Sequence, residues 1–198
     1  MSLPDFDPLV RALRDAPLPS SDGDLNNMAF PARDLRPAGV LVAIQDGRNG
    51  PEVLLTRRSA HLKQHAGQIA FPGGKQDPGD ADLSATALRE AREEIGLPEG
   101  AAEVICHLDP HETVTAFAVT PVLARITAPF TPVPEPGEVE EVFTVPFSFL
   151  MNLDNYHIEG RRWQGRRRYY YTVPYGPYYI WGATARMLHN LAQRLAHV

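Results

Sequence analysis

The segment Leu83–Ile95 constrains the fold most, because its apolar residues recur at helical spacing and share one arc. A helix with one apolar stripe can be anchored in a hydrophobic core while its other faces carry charge. Asp82 or Ser84 can cap its first turn, and Gly96 followed by Pro98 can end it. The stripe consists of Ala87, Leu88, Ala91 and Ile95. The sequence therefore predicts an amphipathic helix packed on the body of the protein.

Three acidic residues of this helix, Glu90, Glu93 and Glu94, fall on one arc of roughly 100° beside the stripe. Their charges repel one another, and a divalent cation would turn that repulsion into binding. Mg²⁺ prefers a few carboxylates, retained waters and phosphate oxygens. A solvated acidic face, with Arg89 and Glu93 as an i,i+4 ion pair, explains the same residues. The helix alone leaves both interpretations open.

A glycine-rich turn, residues 71–75, precedes the helix. Gly73 and Gly74 permit unusual backbone angles and a close approach to a ligand. Such a loop can offer amides or carbonyls to a phosphate and metal cluster, and the Gly74 carbonyl is a candidate metal ligand. A tight turn with no function has the same composition.

Segments typical of strands and helices alternate irregularly along the rest of the chain. Residues 5–15 and 182–197 have helical spacing, and residues 17–37 form an irregular arm. Strands are predicted at residues 39–44, 53–56, 104–108, 116–126, 156–163 and 167–173, with hairpins joining the first pair and the last pair. This order favours an α/β (α+β) fold, in which helices pack on a mixed sheet. We expect one globular protein, made of a helix and arm at residues 1–37 and a main domain at residues 38–198.

Composition excludes several classes of protein. A formal net charge of −5 argues against a general nucleic-acid binder. The sequence contains no run of about 18 apolar residues, so we expect no membrane span. The N-terminus lacks the features of a signal peptide. Cys106 is the single cysteine, which excludes an intramolecular disulfide. We therefore expect a cytoplasmic protein that attracts an anionic small molecule locally, through metal ions or a few Arg residues.

Residues 89–97 resemble the second half of the Nudix box, Gly-x5-Glu-x7-Arg-Glu-U-x-Glu-Glu-x-Gly-U, in which U is aliphatic. The first half departs from this pattern, because the stretch from Gly74 to Arg89 is one residue longer and Ala81 stands in place of Glu. Asp77 and Asp80 lie nearby, and either could substitute for that Glu.

Residues 54–74 resemble the extended motif of the coenzyme A diphosphatase branch, in which the box is long and Asp residues follow the Gly-Gly pair. The resemblance continues in residues 119–122, 138–143 and 180–185 and covers most of residues 38–195. It implies the Nudix fold, a mixed β-sheet sandwiched between helices. It also implies that Mg²⁺ or Mn²⁺ assists hydrolysis of coenzyme A to adenosine 3′,5′-bisphosphate and 4′-phosphopantetheine.

The resemblance further implies roles for single residues. Glu90 and Glu94 are the first metal ligands, and Glu93 is a third ligand or binds through water. Arg89 orients Glu93 and does not touch substrate. A general base is also required, and we favour Glu138, which follows a Pro-rich loop that could swing over the site. The other candidates, each of which could equally be a solvated carboxylate, are Glu112, Glu140 and Glu141.

Basic residues are concentrated just before the glycine-rich turn, at Arg57, Arg58, His61, Lys63 and His65. Arginine suits bidentate contact with phosphate. The two arginines and the lysine are therefore predicted to bind substrate together with Gly73 and Gly74, whereas the histidines are expected to be structural. A hairpin edge kept soluble by charge is the alternative.

Residues 161–171 interleave Arg with aromatic residues. A hairpin with Arg outward and aromatic residues inward explains this pattern, and nucleotide stacking is the alternative. The aromatic residues could also contact a partner subunit, so a homodimer is compatible with the sequence.

Two other functions share most of these features. A Nudix enzyme acting on ADP-ribose, NADH, a dinucleoside polyphosphate or an RNA cap would carry the same box. Residues 54–71 favour coenzyme A, and the negative charge disfavours RNA. A non-catalytic nucleotide-binding Nudix domain would typically lack the metal carboxylates, whereas Glu90, Glu93 and Glu94 are all present.

Overall fold

The computed structural model describes residues 5–15, 17–163 and 165–197. Its helices are α1 (Asp7–Asp15), α2 (Leu83–Ile95), α3 (Phe147–Leu150) and α4 (Gly182–Ala196). Its strands are β1 (Ser20–Ser21), β2 (Arg36–Gly47), β3 (Gly50–Arg58), β4 (Ile69–Ala70), β5 (Gly73–Lys75), β6 (Ala102–His107), β7 (His111–Glu112), β8 (Phe117–Ile126), β9 (Val139–Pro146), β10 (His157–Trp163) and β11 (Arg166–Thr172). Short 3₁₀ turns lie at Asp24–Asn26 and Leu153–Asn155.

Within these described residues, nine strands form one mixed sheet. Its main path has the order β1-β7-β8-β2-β3-β4, while β5 pairs with β2, β6 with β8 and β9 with β3. Strand β2 runs parallel to β8 and antiparallel to β3, to which a tight hairpin joins it at Gly47 and Gly50. The predicted first hairpin and the predicted mixed sheet are confirmed.

Both faces of this sheet are buried, because successive residues of β2 and β3 enter two separate apolar clusters. Leu41 and Leu54 pack with Ala87 of α2 on one face. Val42 and Val53 belong to the other cluster, which includes residues of α1, α3 and α4. Strands buried on both faces are typical of a sheet covered by helices on each side. The fold is therefore the predicted sandwich of a mixed sheet between helices.

The helix boundaries follow the local signals in the sequence closely. Helix α2 has the predicted bounds, and the side chain of Asp82 caps it by accepting a hydrogen bond from the Ala85 amide at 2.8 Å. Gly96 ends it in a left-handed conformation with φ 67°. Ser84, the other candidate cap, instead contacts His107 Nε2 at 2.6 Å. Among the described helices, none is long and apolar enough to cross a membrane.

Strand β9 was not predicted, although it pairs with β3 along most of its length. The adjacent Glu140 and Glu141 interrupt its apolar alternation, so pairing with β3 forms the strand where the local pattern does not. Strands β1, β4, β5 and β7 have only two or three residues each, too few to show a period.

The N-terminal arm is anchored to the edge of the sheet through β7. The fully buried His111 contacts Ser20 Oγ at 2.9 Å through Nδ1 and Asp22 Oδ1 at 3.1 Å through Nε2. Arg33 binds Glu112 at 2.9 Å. The arm, expected to be irregular, thus contributes β1 as a short parallel partner of β7.

Strands β10 and β11 form the second predicted hairpin as a separate two-stranded sheet. Arg161 is exposed, and Tyr171 packs inward on the His189 ring at 4.2 Å. Tyr169 remains 41% exposed, so the aromatic residues do not all face inward as expected. Gln164, placed in the turn by the sequence, lies outside the described residues.

Helix α2 lies so close to β2 that Gly39 has no room for a side chain. A Cβ at Gly39 would lie 2.5 Å from the Leu83 carbonyl oxygen and 3.3 Å from the Ala87 amide nitrogen. Since both are backbone atoms, a larger residue would push the helix away from the sheet. Gly39 therefore allows the short distance between α2 and β2.

We expect Gly39→Ala to lower the free energy of unfolding by about 1–3 kcal/mol, the usual cost of overpacking. Urea denaturation followed by circular dichroism measures the change. Gly79→Ala is the matched control, because a Cβ at Gly79 meets no atom within 4 Å. Equal stability of the two variants would show that α2 does not depend on contact at Gly39.

Candidate active site

Helix α2 presents its three glutamates at different depths. The side-chain exposure is 4% for Glu94, 16% for Glu90 and 58% for Glu93. A solvated acidic face, the alternative left open by the sequence, would expose all three. Two of the carboxylates are instead built into the body of the protein.

The guanidinium of Arg89 connects this acidic face to the preceding loop. Its Nη1 donates to Glu90 Oε1 and Glu93 Oε2, each at 2.9 Å. Its Nε and Nη2 donate to the two carboxylate oxygens of Asp80, each at 3.0 Å, and Nη2 also reaches the Lys75 carbonyl at 3.2 Å. The contact between Arg89 and Glu93 that the spacing suggested is present, and the contact with Glu90 accompanies it.

Of the two aspartates left open by the sequence, Asp80 is the one bound to Arg89. Asp77 Oδ2 lies 3.8 Å from the guanidinium, and its side chain is 60% exposed. Asp80 Oδ2 also accepts from Thr86 Oγ1 at 3.0 Å and from the Asp77 amide at 2.9 Å. The hydrogen bond from Arg89 is the main cause that lowers the pKa of Asp80 well below its ordinary value. Asp80 therefore stays ionised to a lower pH than an ordinary aspartate does.

The glycine-rich turn brings backbone against the same carboxylates. The Gly73 amide donates to Glu94 Oε2 at 3.1 Å. A Cβ at Gly74 would overlap the Glu90 carboxylate, and one at Gly73, whose φ is 155°, would lie 2.5 Å from the Gly39 carbonyl oxygen. Gly73 thus requires glycine for the turn to fit beside β2, whereas a larger residue at Gly74 would displace the Glu90 carboxylate.

Burial raises the pKa of Glu94 to about 7. The hydrogen bond from Gly73 and the charge of Arg58 oppose this shift, while the charges of Glu90 and Glu138 add to it. Burial is also the largest cause that raises the pKa of Glu90. Burial therefore disfavours the charged forms of both inner carboxylates more than their hydrogen bonds and nearby cations favour them.

These residues fit a divalent cation of the Mg²⁺ type. Among the described residues, no three His, Cys, Asp or Glu side chains are placed to hold a metal ion by themselves. Mg²⁺ is usually bound by one or two carboxylates, with waters and substrate phosphates filling the remaining positions. Glu90 and Glu94 supply two hard oxygen donors at a place where positive charge would relieve their repulsion.

Glu138 follows a loop that is tied to α2. The backbone amides of Val133 and Glu135 donate at 2.9 Å to the last carbonyls of the helix, which have no partner within it. The Glu138 carbonyl in turn accepts from the Ser59 amide at 2.8 Å. These backbone hydrogen bonds hold the segment beside the acidic helix.

The other candidate bases lie in ion pairs. Arg57 Nη2 is 2.6 Å from Glu141 and 3.7 Å from Glu140, and Glu112 binds an arginine of the arm. The Tyr178 hydroxyl donates to Glu141 at 2.7 Å. No local signal in the sequence pointed to Tyr178. The charge of Glu138 is among the causes that raise the pKa of both Glu90 and Glu94.

The predicted basic cluster divides into separate groups. Arg58 Nη1 lies 3.7 Å from Glu94 Oε1, whereas Arg57 faces the acids of β9. Lys63, His61 and His65 are exposed on the loop between β3 and β4. The structure thus brings Arg58 into contact with the acidic helix and leaves Lys63 facing solvent.

Comparison with known proteins gives four matches. The family model described as NUDIX domain matches residues 35–167. An uncharacterized Nudix hydrolase, NudL, of Photorhabdus laumondii is 43% identical over 147 residues, covering 73% of this chain and 78% of that protein. Another NudL, from Yersinia pestis, is 37% identical over 179 residues, covering 90% and 89%. Among solved structures, a C. elegans Ap4A hydrolase has a TM-score of 0.49 and 23% identity, over 56% of this chain and 80% of that one.

We expect Asp80→Asn to lower the melting temperature at neutral pH, because the amide cannot pair with the Arg89 charge. A depressed carboxyl pKa contributes stability above its ordinary value of 3.8, and this contribution is lost as the pH falls through the value in the folded protein. The gap between wild type and variant should therefore close on acidification. Scanning calorimetry from pH 7 downward measures it, with Asp77→Asn as the control. If the difference in melting temperature between wild type and Asp80→Asn were as large in strong acid as at pH 7, the result would contradict the ion pair.

Proposed function

This chain belongs to the Nudix family, and we propose that the pyrophosphate bond it hydrolyses is that of coenzyme A or a coenzyme A derivative. The products are adenosine 3′,5′-bisphosphate and 4′-phosphopantetheine. Nudix hydrolases act on nucleoside diphosphate derivatives, and the choice among these rests on residues 54–74, which resemble the coenzyme A diphosphatase branch.

One observation carries the proposal, namely the contact between that segment and the acidic helix. Arg58, inside the segment, lies 3.7 Å from one oxygen of Glu94. Gly73, near its end, donates to the other oxygen at 3.1 Å. The segment that resembles the branch motif therefore borders the carboxylates assigned to the chemistry.

Glu90 and Glu94 would hold Mg²⁺ or Mn²⁺, with Glu93 as a third ligand or a ligand through water and the Gly74 carbonyl as a further candidate. When bound, such an ion screens the charge of a pyrophosphate and lowers the pKa of a bound water. Arg89 orients Glu90 and Glu93 through hydrogen bonds of 2.9 Å. Outer residues of this kind fix metal ligands in place before the metal binds.

Glu138 would act as general base by taking a proton from the attacking water. The water oxygen forms a bond to one phosphorus while the bridging P–O bond of the pyrophosphate breaks. The charge of Glu138 already acts on Glu90 and Glu94. Its backbone bond to Ser59 holds the residue at this position.

Arg57 and Lys63 are the cations proposed to attract the phosphates of the substrate, with the backbone of Gly73 and Gly74 beside them. Arg57 is 37% exposed and shared between two glutamates. A phosphate would therefore compete with Glu140, the more distant partner, for part of its guanidinium. Arg58, the third predicted cation, is directed to Glu94.

Product analysis by chromatography tests the proposal, with coenzyme A, ADP-ribose and NADH offered side by side with and without Mg²⁺ or Mn²⁺. We expect metal-dependent release of adenosine 3′,5′-bisphosphate from coenzyme A. Glu94→Gln should abolish most of it, because an amide lacks the anionic oxygens that a metal ion requires. Glu138→Gln should lower kcat by roughly 10²-fold or more with little change in KM, the usual weight of a general base.

Glu103→Gln is the control, since Glu103 is exposed on β6. Faster cleavage of ADP-ribose or NADH would overturn the choice of substrate. No cleavage with any metal would favour the non-catalytic binding domain.

A further inference from the structure

Three consecutive residues, at the end of β3 and directly after it, contact two acidic segments, namely residues 138–141 and α2. Arg57 pairs with Glu140 and Glu141, the side chain of Arg58 faces Glu94, and the Ser59 amide donates to the Glu138 carbonyl. The pairing of β3 with β9 shifts register between Arg57 and Arg58. Such an irregularity redirects side chains relative to a regular strand.

Glu94 depends on this strand end, because it is the most buried carboxylate of α2. Its side chain is 4% exposed, and a buried carboxylate is costly unless it is hydrogen-bonded and paired. The Gly73 amide donates to Glu94 Oε2 at 3.1 Å, and Arg58 Nη1 lies 3.7 Å from Glu94 Oε1. The two contacts fix the carboxylate from opposite oxygens.

Arg58 is itself held in place from both sides of its backbone. Its amide donates to the Gln68 carbonyl at 2.9 Å, and its carbonyl accepts from the Gly67 amide at 3.1 Å. The loop between β3 and β4 therefore closes on Arg58. These hydrogen bonds fix the backbone from which the Arg58 side chain extends to Glu94.

We infer that Arg58 is a positioning residue for Glu94, and that it acts on the metal site through this carboxylate and not by binding substrate phosphate. The inference rests on the proposed function only in requiring that Glu90 and Glu94 bind a divalent cation. It assigns different tasks to two neighbouring arginines, since the ion pairs of Arg57 are with Glu140 and Glu141 of β9 and Arg57 remains the candidate for substrate.

Titration of the substrate-free protein with Mn²⁺, followed by electron paramagnetic resonance, tests this inference. We expect Arg58→Gln to weaken Mn²⁺ binding about tenfold or more, the usual effect of removing a residue that orients a metal ligand. Arg58→Lys keeps the charge but loses the guanidinium, so its Kd should fall between those of wild type and Arg58→Gln. Circular dichroism checks that each variant is folded.

Arg33→Gln is the matched control, because Arg33 is a similarly half-buried arginine paired with a glutamate, 23% exposed against 27% for Arg58. Its Mn²⁺ affinity should equal that of wild type. In the turnover assay, Arg58→Gln should lower kcat at subsaturating metal and leave the KM for substrate nearly unchanged.

Wild-type Mn²⁺ affinity in Arg58→Gln, or a raised KM as its only defect, would overturn the positioning role and leave the metal site standing. Absence of Mn²⁺ binding in the wild type would overturn the metal site and the positioning role together.

Discussion

The hydrogen bonds of one guanidinium hold the acidic face of α2 in a single arrangement. Glu90 and Glu93 repel each other at helical spacing, and Arg89 bridges them through one nitrogen at 2.9 Å to each. Asp80 accepts hydrogen bonds from Nε and Nη2 of the same guanidinium, each at 3.0 Å. A planar guanidinium offers donors in fixed directions. It therefore positions the loop before α2 relative to the carboxylates of the helix. A lysine could not make this set of contacts.

Glu94 is stabilised by different means. It is buried between the glycine-rich turn and the end of β3, where the Gly73 amide and Arg58 approach its two oxygens. Burial nevertheless raises its pKa to about 7, so the compensation is incomplete. The loop that carries Glu138 is bonded to the end of the same helix and to Ser59. The site is thus preorganised on strands and a helix, and a divalent cation would stabilise the charged forms of carboxylates that burial disfavours.

Features with local causes could be predicted from the sequence. The bounds of α2 follow from its apolar period, the cap at Asp82 and the left-handed Gly96, and the contact of Arg89 with Glu93 follows from i,i+4 spacing. Features that join distant segments could not be predicted. Strand β9 exists through pairing with β3, and its acids engage Arg57, a partner that the sequence did not indicate. The choice of Asp80 over Asp77 likewise depended on the path of the loop, which composition does not specify.

Anomalous diffraction from crystals of the protein soaked in Mn²⁺ tests the central claim most directly, because it locates the metal without assuming a substrate. The account predicts a peak within coordination distance of the carboxylate oxygens of Glu90 and Glu94, beside the Gly74 carbonyl. A peak elsewhere, or none at a Mn²⁺ concentration that supports turnover, would contradict the assignment of α2 as the metal-binding helix.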